Sequence, residues 1–146
     1  MLSLMSYEYS REDFTEWNEQ KQRIHSEKLE EGPFPRGGWV WMCSFGVNIG
    51  LEQNGGVGSF NRPGAVLKKF NNQMYWVVPL TSKQKPVDFY YNFTDPNGHN
   101  VAAIIAQLRL MSTKRLRREM YQMTDADIAA IRALAKSFLE KIETPP

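Results

Sequence analysis

The side chains that usually do chemistry are thinly supplied in this chain. Its one cysteine, Cys43, lies between Met42 and Ser44 in an apolar stretch and reads as a small buried hydrophobe. The two histidines, His25 and His99, stand far apart, and there is neither a C-x-x-C pair nor an H-E-x-x-H run. A zinc site is therefore not expected, and no metal or cofactor is assigned. Gly50, Gly55, Gly56 and Gly58 spell neither a dinucleotide fingerprint nor a P-loop, and no helix follows them, so no nucleotide cradle is expected. Asp and Glu are scattered rather than clustered as a two-metal nuclease requires. No Ser-His-Asp or Cys-His set stands out.

What remains in quantity is positive charge, unevenly placed. Of 18 basic and 16 acidic residues, residues 1–33 hold four and eight, leaving 14 and eight for the rest. The leader is formally −4 and the body +6, a sign suited to holding a polyanion. At 146 residues one domain with a real core is expected. No run approaches the roughly 20 apolar residues of a membrane span, and Met1-Leu2-Ser3-Leu4-Met5 followed by acidic residues does not read as a signal peptide. With a single thiol, a reducing, cytoplasmic setting is the expectation.

These residues must be positioned by elements that the pattern predicts. Ser10 with Asp13 reads as a helix start, and Phe14, Trp17, Ile24 and Leu29 share a face, predicting a helix over 11–30 ended by Gly32-Pro33. Residues 1–33 are thus an acidic helical extension, and 34–146 a second unit. The run Trp39 to Phe45 predicts a strand, and the glycine-rich stretch 46–61 a long mobile loop. Runs 63–70 and 74–80 around Asn71-Asn72-Gln73 predict a hairpin. Further strands are predicted over 87–93, over 101–110, where the alanines leave a helix open, and, as a last edge, over 119–123. Asp95-Pro96-Asn97-Gly98 predicts a turn, and 112–118 is a short basic stretch. Thr124 caps a final helix whose stripe runs through Ile128, Ile131, Leu134, Ala135, Phe138, Leu139 and Ile142. The expected class is α+β: a small antiparallel barrel or curled sheet with a terminal helix packed on it.

Four segments in order then carry a resemblance. Arg36-Gly37-Gly38-Trp39-Val40-Trp41 with Gly50-Leu51-Glu52-Gln53-Asn54-Gly55 resembles the opening strand and loop of PemK/MazF-type toxins. Asn61-Arg62-Pro63-Gly64-Ala65-Val66-Leu67, Pro79-Leu80-Thr81-Ser82 and Ala106-Gln107-Leu108-Arg109-Leu110 are similar to its later strands. The resemblance spans residues 36–118 and omits the leader. Gly38 stands where an acidic residue is usual, and Gly56-Val57-Gly58-Ser59-Phe60-Asn61 lengthens the loop.

The resemblance implies an SH3-like barrel acting as the toxin of a toxin–antitoxin pair: a homodimeric, metal-independent endoribonuclease that cleaves single-stranded RNA and is restrained by a cognate antitoxin. It implies that Arg62 and Thr81 carry the reaction, with Glu52 as third member. The chemistry fits: RNA supplies its own nucleophile in the 2′-OH, giving a 2′,3′-cyclic phosphate, and a guanidinium suits the phosphorane that forms. Glu52 could accept the 2′-OH proton, and Thr81 could bond a phosphate oxygen. Lys83, Lys85 and Arg109 could hold flanking phosphates, with Gln53, Ser82 and Gln107 beside them. Trp39 or Phe60 could stack on splayed bases.

Each residue also has a plain structural reading. Arg62 could pair with a nearby carboxylate, Glu52 could fix its loop, and Thr81 is an ordinary strand residue. Trp39, Trp41 and Trp76 read as mainly core, and Lys114, Arg115, Arg117 and Arg118 as a solvated face. The competing function is a non-catalytic member of the fold, binding DNA gyrase as CcdB-like toxins do, or binding RNA or a protein. The acidic leader could lie over an RNA groove, in cis or on a partner, or simply pack through Trp17 and Ile24.

Overall fold

In the computed structural model, residues 9–28 and 34–141 are described. The first helix, α1 (Arg11–Ser26), opens with the expected capping box, in which the Ser10 hydroxyl accepts from the Asp13 amide and the Asp13 carboxylate accepts from the Ser10 amide. It stops at Ser26, where Glu27 turns extended, short of the predicted 11–30; the predicted stop at Gly32-Pro33, and Leu29, lie outside the described residues. Trp17 and Ile24 are buried as the spacing requires, but Phe14 is 44% exposed.

The strands follow as β1 (Trp39–Ser44), β2 (Asn61–Lys69), β3 (Met74–Thr81), β4 (Tyr90–Thr94), β5 (Asn100–Ile104), β6 (Arg109–Ser112) and β7 (Leu116–Gln122). All pairing is antiparallel, in the order β4-β5-β3-β2-β1-β7, with β6 also on β3. The sheet curls without closing, since β4 and β7 end it. The β2–β3 hairpin is turned by Asn71, whose side-chain oxygen accepts from the amides of Gln73 and Met74 at 2.8 and 3.0 Å.

The predicted strand over 101–110 is in fact two. A 3-10 turn at Ile105–Gln107 divides it, so that β5 pairs with the end of β3 and β6 with its beginning. At this break the Gln107 side chain bonds the distant loop, accepting the Gln53 amide and donating to the Leu51 carbonyl. The last edge strand begins three residues before the predicted 119, because Thr113–Arg115 form a second 3-10 turn directly ahead of it.

Strand alternation divides the core in two. Val40, Ala65 and Val78 stand side by side across β1, β2 and β3, facing Ile128 and Ile131 of the final helix α2 (Asp125–Glu140). Trp41, Val66 and Val77 point to the other face, with Cys43, Phe45 and Tyr75. Along α2, Leu134, Ala135 and Phe138 pack at the rim, while Leu139 is 79% exposed; Ile142 lies outside the described residues. Trp76 departs from the expectation of a core residue: it is 40% exposed and packs edge-on against Phe70 at 5.0 Å. No described helix is long and apolar enough to cross a membrane.

Candidate functional site

Arg62 enters β2 opposite Cys43 of β1, two residues before the Gly64–Pro79 pair that joins β2 to β3, and Thr81 ends β3 opposite Ala102 of β5. Its side chain folds back over the preceding loop. Nε donates to the Asn54 carbonyl at 2.7 Å and Nη1 to the Leu80 carbonyl at 3.1 Å. Two fixed acceptors set the plane of a guanidinium, so this one is aimed rather than swinging. Thr81 accepts the Lys83 amide on its hydroxyl at 3.2 Å, leaving the hydroxyl proton to be donated.

The loop that holds Arg62 is irregular, as predicted, but far from loose. Asn48 is its hub: its amide donates to the Asn54 side chain at 2.6 Å, and its Nδ2 to the carbonyls of Phe45 and Gln53. The Gly55 amide donates to Gly46, Gly46 to Phe60, and Phe60 to Gly56, all within 2.9 Å. Gln107, in the break after β5, clamps the loop from outside, accepting the Gln53 amide and donating to Leu51. Loops of this length hold one shape only when their backbone groups find partners, and here they do so internally.

Two clefts flank this arrangement, one lined by Pro79 of β3 and the other by the next residue, Leu80. One, of about 290 Å³, holds Arg62, Thr81 and Ser82 and opens toward Asp95, Val101 and Tyr121, in the gap between the unpaired ends of the sheet. The other, of about 310 Å³, holds Glu52, Gln53, Gln107 and Arg109. The three residues singled out as reactive are therefore split: Arg62 and Thr81 share a cleft, and Glu52 lines the next one. Glu52 ties one oxygen to the Ile49 amide at 3.2 Å. Lys83 follows Ser82 directly at the rim.

Trp39 is not brought to either cleft. It lies at the opposite end of β1 from Cys43, four residues or about 13 Å along the strand, half-buried under the Arg36 guanidinium. Nor can Phe60 stack on a base, since it is wholly buried. Lys85 lies over the Tyr90 ring.

The basic stretch is a solvated face only in part: Arg117 and Arg118 are exposed, whereas Lys114 and Arg115 are half-buried. Arg115 donates to the Ser44 carbonyl at 2.9 Å and lies over the Trp17 indole; burial pulls its guanidinium down to about 10, helped by the like charge of Arg109. Burial lowers Arg109 too, with Glu52 opposing. Lys114 donates to the His25 carbonyl at the end of α1, and Arg117 faces Glu27 at 3.8 Å.

Sequence reasoning missed Asn48, Asn54 and Tyr9. The first two lie within a run of loop-forming residues and carry no separate signal. Tyr9 donates its hydroxyl to the Gly55 carbonyl from a segment outside the resemblance. Among the described residues, no three His, Cys, Asp or Glu side chains group as metal ligands.

No family model and no curated protein matches the chain. Solved structures do. MazF of Deinococcus radiodurans superposes with a TM-score of 0.65 at 21% identity, over 75% of this chain and 100% of that one. An endoribonuclease of a mycobacterial species, in complex with its cognate antitoxin, gives 0.57 at 13% identity over 76% and 99%. The MazE–MazF complex of Deinococcus radiodurans gives 0.57 at 18% over 76% and 100%. At these identities the likeness speaks to architecture, and the chain has the fold of the MazF toxins.

Proposed function

We propose that the protein is the toxin of a toxin–antitoxin pair and cleaves single-stranded RNA without a metal. The observation that carries this reading is Arg62, its guanidinium held by the Asn54 and Leu80 carbonyls in a cleft that Thr81 also lines, on a MazF-like sheet. RNA runs from one cleft to the other past the end of β3, where Pro79 lines one and Leu80 the other. The scissile phosphate rests on Arg62 and on the Thr81 hydroxyl, with Lys83 beside them. The 2′-oxygen attacks phosphorus and gives its proton to water, which passes it to Glu52 in the neighbouring cleft; the bond to the 5′-oxygen breaks as that oxygen takes a proton from water, leaving a 2′,3′-cyclic phosphate and a free 5′-OH. Arg62 is the electrostatic partner of the phosphorane, being charged throughout the working pH range. Arg109, Gln53 and Gln107 line the neighbouring cleft, where the flanking nucleotide lies.

A cognate antitoxin is the partner proposed, as the mycobacterial and Deinococcus complexes suggest by analogy of fold. A second copy of the chain is proposed on the exposed apolar strip where Trp76 faces Leu110 across β3 and β6, with Phe70 at its side.

The test is cleavage of mixed-sequence single-stranded RNA in excess EDTA, with wild type and Arg62→Ala side by side. Wild type should yield cyclic-phosphate ends, and Arg62→Ala should be slowed about 10²- to 10³-fold, the usual cost of one oxyanion partner. A folded Arg62→Ala protein that cuts at the wild-type rate would remove Arg62 from the reaction. A wild type that leaves RNA intact but blocks gyrase supercoiling would move the protein to the binding class.

A further inference from the structure

The internal bonds of the loop that aims Arg62 are not its only support; the loop is also shaped around α1 and Tyr9. Gly46 has φ +77°, and a Cβ on it would fall 2.1 Å from Cε2 of the Trp17 indole. The indole occupies the space that any other side chain at 46 would take. Phe60, the only described non-glycine residue at positive φ (60°), is wholly buried with its ring 5.7 Å from Trp17 and 6.5 Å from Tyr9. A left-handed aromatic residue is strained and persists only where its surroundings over-determine it. Here the surroundings are Trp17, Tyr9, Ile24 and Val47.

From this socket a short mechanical path leads to Arg62. The Asn54 carbonyl and the Gly55 amide belong to one planar peptide. Its N–H donates to the Gly46 carbonyl at 2.8 Å, and its C=O accepts Nε of Arg62 at 2.7 Å. Trp17 sits on Gly46, and the Tyr9 hydroxyl bonds the next carbonyl, that of Gly55. Tilting the 54–55 peptide would turn the guanidinium.

We propose that the N-terminal segment is a positioning element of the active site: Tyr9 and Trp17 lock the 54–55 peptide that orients Arg62. This rests on the ribonuclease reading above and deepens it. The placement of α1 supports a clamp over a cover, since neither cleft is lined by any residue of α1 or by Tyr9. At its other end the helix is anchored by Lys114 on the His25 carbonyl and by Arg117 near Glu27, remote from both clefts. Burial raises the pKa of the Tyr9 hydroxyl, with the nearby Arg62 charge opposing, so the group keeps its proton to donate.

The experiment compares the full chain with Tyr9→Phe, which keeps the ring against Phe60 and deletes one hydrogen bond. Glu19→Gln, on the exposed face of α1, is the control. Single-turnover cleavage of an RNA that wild type cuts, and amide exchange at Gly46, Gly55 and Phe60, are both measured. Tyr9→Phe should slow the cleavage constant about three- to tenfold, the worth of one hydrogen bond. KM and melting temperature should stay at wild-type values, and Gly55 exchange should quicken by a similar factor. A merely structural bond would lower the melting temperature without splitting kcat from KM. Wild-type cleavage together with wild-type Gly55 exchange would overturn the proposal, as would faster cleavage, the mark of a cover removed. If wild type itself cuts no RNA, the ribonuclease reading fails, and Gly55 exchange alone decides whether Tyr9 holds the loop.

Discussion

Replacing Trp17 by alanine removes the largest contact between α1 and the rest of the protein. The side chain is 5% exposed. An aromatic residue of this kind buries about 150–250 Å², which at about 25 cal/mol per Å² is roughly 4–6 kcal/mol. Measured truncations of buried tryptophan cost about 3–5 kcal/mol. That is one limit. The other is set by topology: α1 forms no part of the sheet, so the loss cannot exceed the free energy with which the helix docks. Ile24, the Tyr9 hydrogen bond and the Lys114 contact remain to hold it, but the socket at Gly46 and Phe60 is emptied. A loss of about 3 kcal/mol is expected in urea unfolding, near the lower end of the range, because an isolated 16-residue helix is marginal in water and detaches once undocked. Detachment leaves less surface to expose on global unfolding, so the slope m should fall together with the midpoint. A midpoint shift with unchanged m would mean that the helix stays docked and the cavity is tolerated. No change in either quantity would refute the account of Trp17 as the keystone of this contact.

Two further outcomes follow from the same geometry. Gly64→Ala should destabilise by about 1–3 kcal/mol through overpacking, because its Cβ would meet Val77 Cγ1 at 2.6 Å and Cys43 Sγ at 3.2 Å; combined with Val77→Ala, the measured loss should fall short of the sum of the single losses. At the alkaline end, the hydrogen bond that Tyr91 donates to Asp127 at 2.6 Å, then burial, push Tyr91 up to about 12, and burial with Asp95 and Asp127 pushes Tyr121 to about 12. Both folded values lie above the ordinary 10.0, so their stabilisation is complete below that pH and lost as pH rises toward 12; melting temperature should drop across this window, and less steeply in Asp127→Asn.

How far the sequence foretold this can be read residue by residue. The β2–β3 hairpin was legible because Asn71-Asn72-Gln73 interrupts two strand-like runs, and the pairing that follows brings Arg62 near the end of β3, where it bonds the Leu80 carbonyl. α2 was legible from its cap and stripe. The division at Ile105–Gln107 was not, because an apolar run ending in Ala-Gln offers nothing to show that one side chain must bond a loop more than 50 residues away. Phe60 was misread as a stacking residue for the same reason: its burial is a tertiary fact, created by Trp17 from a segment 43 positions earlier. Arg115 was misread too, since four basic residues in five positions look solvated until a helix is laid over one of them. The separation of Glu52 from Arg62 likewise reflects a loop fold that spacing does not encode.

The acidity of the leader takes on a different meaning once α1 is docked. An acidic segment beside a basic body suggests a polyanion mimic lying in the substrate's place. The contacts point elsewhere. The docking face is aromatic and aliphatic, and the charge complementarity is concentrated where Lys114 meets the negative end of the helix dipole. Glu12, Glu16 and Glu19, spaced along one side of α1, stay exposed. They lie on the face of α1 turned away from the socket at Gly46 and Phe60, and neither cleft is lined by any of them. The acidity of this helix is the solvated side of a segment that docks through its aromatic and aliphatic side.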